Sequence, residues 1–161
     1  MWQELIDNIK ELLQIYNKLF KLNERKRQAI TAIDMLVLDG LVDKERELSD
    51  SIMRIEQKRQ AILKKMAAGN AAINESSSFK NLLVFCPDNY KKEFVSDNEA
   101  LSAVVQKTIV ISENNRLLMQ GALTAVNMNI NSLSGVKAAP GYEKNGEQNF
   151  SANKRKLDFE V

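Results

Sequence analysis

Leu38, Leu41, Glu45, Leu48, Ile52, Ile55, Arg59, Ile62 and Met66 follow one another by steps of three and four residues. A pattern kept up for that length admits only a helix packed lengthwise on another helix. Upstream, Leu5, Ile9, Leu12, Tyr16 and Leu19 keep the same spacing. Asn23 and Lys26 then occupy the seam before Ile30 and Ile33. Polar residues at seam positions fix register at some cost in stability, or mark where the seam outruns its partner. The step from Ile33 to Leu38 is five, and Asp34 suits a helix N-cap. Two antiparallel helices of about 30 residues, each ~45 Å long, satisfy this pattern. One continuous helix with a stutter satisfies it too, since Met35 to Asp39 holds neither glycine nor proline.

A third long segment runs from Ser96 to Gly135. Ser96 and Glu99 stand at capping-box spacing, and Gly135 suits a left-handed helix end. Leu101, Val104, Thr108, Ile111, Asn115, Leu118, Ala122 and Ala125 form its seam. Its second half has no charged residue from Leu117 to Val136. Around a helix, the apolar residues of this half cover well over half the circumference, whereas one core contact needs an arc of roughly 100°. The surplus must be buried by the chain's other helices, by a second copy, or by a partner protein. Gln120, Asn127, Asn129, Asn131 and Ser132 interrupt it too often for a membrane span, so no membrane insertion is expected.

Between these segments, AAGNAAINESSS reads as a flexible joint. The stretch from Phe79 to Phe94 then reads as a short clip that returns the chain to the bundle. The expected fold is all-α, an elongated antiparallel helical bundle or coiled-coil hairpin with helices at about 3–31 and 35–67. A short helix at 79–86 and a long third helix at 97–134 complete a domain of residues 1–135. Residues 136–161 are expected to be a mobile, disordered C-terminal tail.

Composition removes several functions. With no histidine among 161 residues, the commonest general base and metal ligand is missing. No phosphate loop or nucleophile elbow is present, so neither an enzyme nor a cofactor is expected. A net charge of +2 gives no field for nucleic acid. The lone Cys86 excludes an internal disulfide and reads as an apolar filler. The N-terminus, MWQELIDNIKELL, reads as neither a signal peptide nor an anchor.

Three motifs in order resemble the FlgN-type flagellar export chaperones. The first comprises Arg27, Ala29, Ile30, Asp34, Leu38, Leu41 and Glu45, followed by Ile55, Glu56 and Arg59. The second is ENNRLLMQGAL, with Asn114, Asn115, Leu117 and Leu118. The third is GYEKNGE, with Tyr142 and Gly146. The closing LDFEV lies outside the pattern. The resemblance implies an all-helical cytoplasmic chaperone that holds the disordered amphipathic end of hook-associated (hook-filament junction) proteins and delivers them for export. It further implies export-gate and export ATPase-complex components as partners, with gate docking near Tyr142. The client contact is then expected on the uncharged half-helix, at Asn114, Asn115, Leu118, Met119, Ala122, Leu123, Val126, Ile130 and Leu133. Among these, Met119, Leu123, Val126 and Ile130 lie beside the seam rather than in it. The alternative is a structural coiled-coil adaptor or self-associating rod, in which that half-helix packs on a copy of itself.

Overall fold

A computed structural model describes residues 1–134, with side chains through residue 132. Four helices form, α1 (Trp2–Ala32), α2 (Met35–Gly69), α3 (Phe79–Phe85) and α4 (Asp88–Ser134), with no strand among the described residues. The tail expected from residue 136 lies outside them. Contacts divide the chain into one unit ending at Arg116 and a second beginning at Leu117.

The slip after Ile33 is a chain reversal. The Asp34 N–H donates to Ala29 O at 2.9 Å and the Ile33 N–H to Ile30 O at 3.1 Å. This is the double closure of a Schellman turn. The Asp34 carboxylate accepts from Val37 N at 3.1 Å and opens α2. The hairpin is antiparallel, since Asn8 Nδ2 donates to Ile55 O while Lys26 pairs with Glu45. Ile33 makes the turn at φ 55, the left-handed position that glycine normally fills. For an L-residue that conformation costs roughly 1–2 kcal/mol.

The small polar segment after α2 is bonded turn by turn. Asn70 Oδ1 accepts from Ala72 N, Asn74 Oδ1 from Ser76 N, and Ser77 Oγ from Asn74 N. Ile73 pins it into the core. Ser78 caps α3 by accepting from Asn81 N.

One boundary differs from the sequence reading. The long helix begins at Asp88, not at residue 97, and Ser96 and Glu99 lie inside it rather than at its cap. Pro87 is the reason. Its fixed φ is pre-set for a helix start, and its carbonyl accepts from both Tyr90 N and Lys91 N. The stretch from Asp88 to Phe94 therefore belongs to α4.

That earlier start carries Phe94 into the core. There Leu5, Ile6 and Ile9 of α1 meet Ile62, Leu63 and Met66 of α2, with Leu82 and Cys86 closing over them. Phe94 is fully buried. Trp2 meets its ring edge-on at 5.7 Å and Phe79 lies tilted at 5.3 Å. Aromatic pairs in such geometry add about 0.5–1.5 kcal/mol beyond their buried area. The hydrophobic core cluster of the first unit thus lies where the hairpin's open end receives α3 and the start of α4.

Candidate partner-binding surface

Along α4, Val104, Thr108 and Asn115 are buried while Leu101 and Ile111 are half-buried, so the expected seam holds as far as Asn115. The polar layer of the hairpin meets it there. Asn115 Nδ2 donates to the Asn23 carbonyl at 2.8 Å. Lys26, one turn further along α1, is paired with Glu45 of α2. These directional pairings form at one register only, which accounts for polar residues in the seam. Asn115 therefore has its side chain committed inside the first unit, and only Asn114 of the Asn pair is exposed. The Asn115 Oδ1 has no hydrogen-bond partner among the described residues.

Downstream the pattern changes. Leu118, Ala122 and Ala125, which the sequence reading placed in the seam, are exposed. Met119 is half-buried. Leu123, Val126 and Ile130 expose 61%, 53% and 56% of their surface. Leu133 lies in the helix beyond the described side chains, and Tyr142 lies outside the described residues.

At 100° per residue, Met119, Ala122, Leu123, Val126 and Ile130 share an arc of roughly 100° and a length of ~17 Å. Gln120, Thr124, Asn127 and Asn131 occupy a polar stripe beside it, where the Thr124 hydroxyl donates back to Gln120 O at 2.9 Å. An uncharged apolar ridge with polar amides on its flank suits an amphipathic helix laid alongside. The Gln120 and Asn127 amides can meet a partner's polar groups without the desolvation cost of a buried charge.

Burial pushes the Cys86 thiol up, away from the reactive thiolate. The Arg116 guanidinium, bonded to Glu113, holds that carboxyl below its ordinary range on the exposed face. No group of His, Cys, Asp and Glu among the described residues is arranged to hold a metal ion. None of the described helices is long and apolar enough to cross a membrane.

The sequence reading did not anticipate that Ile33, Met35, Leu36, Val37 and Val42, at and just after the hairpin turn, each stay exposed. The only signal was the step of five, which places these residues at a reversal rather than within a seam.

No curated protein and no solved structure matches the chain. A family model described as FlgN protein matches residues 1–149.

Proposed function

Since the chain belongs to the FlgN family of flagellar export chaperones, we propose that it holds the amphipathic end of hook-associated, hook-filament junction proteins. In this reading the client end lies along Met119, Ala122, Leu123, Val126 and Ile130, with Leu118 beside them and Leu133 extending the contact. Covering that end keeps the subunit from assembling before it reaches the export apparatus. Delivery then engages export-gate and export ATPase-complex components, the gate through the segment around Tyr142.

The observation that carries the reading is the exposed, chargeless face after Arg116. Leu123, Val126 and Ile130 are each more than half exposed. Full burial of such a side chain yields about 1.5–3 kcal/mol, so completing the burial of each contributes on the order of 1 kcal/mol. A helix-in-groove contact concentrates that gain in a few anchors.

The test is titration calorimetry with a purified hook-associated protein. Val126→Glu or Ile130→Glu sets an unpaired carboxylate in the contact and should weaken binding by about a hundredfold or more. Helicity and melting temperature should stay at the wild-type value. Unchanged binding would remove the face from the client site, and a collapsed fold would assign these residues to the protein's own core. A stable oligomer that dissociates in the same variants, with no client affinity, would favour the self-associating rod.

A further inference from the structure

Leu117, Gly121, Thr124 and Met128 follow one another by steps of four, three and four. At 100° per residue they fall within an arc of about 60° and a length of ~17 Å, on the side of α4 opposite Met119, Ala122, Leu123, Val126 and Ile130. All four are exposed, Leu117 to 53% and Met128 to 67%. The Thr124 hydroxyl is already bonded to Gln120 O, so this residue can be covered without stranding its donor. Gly121 lies inside the helix, where only proline is less favourable. The fold itself does not call for it, since a Cβ there would meet no atom of the described residues within 4 Å. A glycine at such a place suits the close approach of a second backbone.

We propose that a second copy of the chain packs antiparallel on this stripe. Its order is large, small, small, large, the same from either end. A two-fold axis at the level midway between Ala122 and Leu123 sets Leu117 of each copy on Met128 of the other and Gly121 on Thr124. That is the self-complementarity a two-fold contact requires, and an unrelated helix would have no need of it. Charge selects the same arrangement. The nearest charged residues, Glu113 and Arg116, both precede the stripe, and none follows before Lys137. A parallel pair sets Glu113 beside Glu113 of the second copy, whereas the antiparallel pair sets it beside Ser132. The contact covers only a few hundred Å² per copy, below the ~800 Å² per partner of a stable complex, so the dimer is weak. The face assigned to the client points away from the contact in both copies, and the dimer does not depend on that face holding a client.

The experiment is sedimentation velocity of the full chain alone, from about 5 to about 500 µM. The sedimentation coefficient should rise with concentration towards that of a dimer. Gly121→Leu should stay monomeric throughout, with helicity and melting temperature at or above the wild-type values, because the position opens to solvent within one copy. Leu117→Lys and Met128→Glu should each weaken association at least tenfold. The double variant should recover most of that loss, since each lysine then faces a glutamate of the other copy. The two positions lie about three turns apart on one helix, so the recovery cannot arise within a copy. A wild-type monomer at every concentration, a Gly121→Leu chain that still dimerises, or a double variant as weak as the singles would each overturn the proposal. So would a dimer that Val126→Glu dissociates and Leu117→Lys does not, which would give the contact to the opposite face.

Discussion

Glu45→Gln gives the sharpest test of how the hairpin seam is held. The Lys26 side chain is only 11% exposed and that of Glu45 25%. Removing one member of a fully buried pair costs about 3–5 kcal/mol, because the remaining charge has no partner and no water. Here the ammonium keeps some solvent contact through its flexible stem, which brings the expected loss to about 2 kcal/mol. That is roughly a thirtyfold change in the folding equilibrium, and a fall of about 4–8 °C in melting temperature for a chain of this size. Urea titration followed by far-ultraviolet circular dichroism measures it without adding ionic screening. The double variant Lys26→Met, Glu45→Leu removes both charges and fills their space, and it should return to within about 1 kcal/mol of wild type. If the single variant costs under about 0.5 kcal/mol, or the double is no better than the single, Lys26 and Glu45 behave as a solvated surface pair and not as an interior one.

Phe94→Ala deletes the fully buried ring between Trp2 and Phe79 and should cost about 3–5 kcal/mol, read by the same urea titration; a loss under 1 kcal/mol would show that the site closes over the cavity. Cys86 should react with iodoacetamide far more slowly in the native chain than in urea at the same pH, since burial raises its thiol; equal rates would place the thiol in solvent. The Glu113 carboxyl is held low in the folded state by Arg116, so any stability it adds is present above the ordinary carboxylate range and is lost on acidification through its folded value. Both groups lie in solvent, so Arg116→Gln should raise the Glu113 titration midpoint seen by NMR while leaving the melting temperature unchanged. A clear drop in melting temperature would contradict that.

Much of the fold was legible because heptad spacing is a local property. Leu5 to Leu19 and Leu38 to Met66 had to form helices that share a seam, and Asn23 with Lys26 advertised a polar layer within it. The capping pair Ser96 and Glu99 misled, because a capping box is a pattern of types and not of geometry. Pro87 offered a helix start nine residues earlier, and burying Phe94 against Trp2 rewarded it. Of the proposed surface, the absence of charge after Arg116 was visible in the letters alone. Which of its apolar residues are exposed was not, and Asn115, grouped with them by sequence, is held by Asn23.

What the sequence determined by itself is therefore the class of element, the length of each helix to within a turn in most cases, and the surplus of uncharged apolar surface late in the chain. The tertiary structure decided where the chain reverses, which polar residues pair across the seam, and which apolar side chains remain exposed. Periodicity reports the face a residue occupies on its own helix. Whether that face is covered depends on contacts between residues distant in sequence, such as Asn23 with Asn115, and those exist only once the helices are packed.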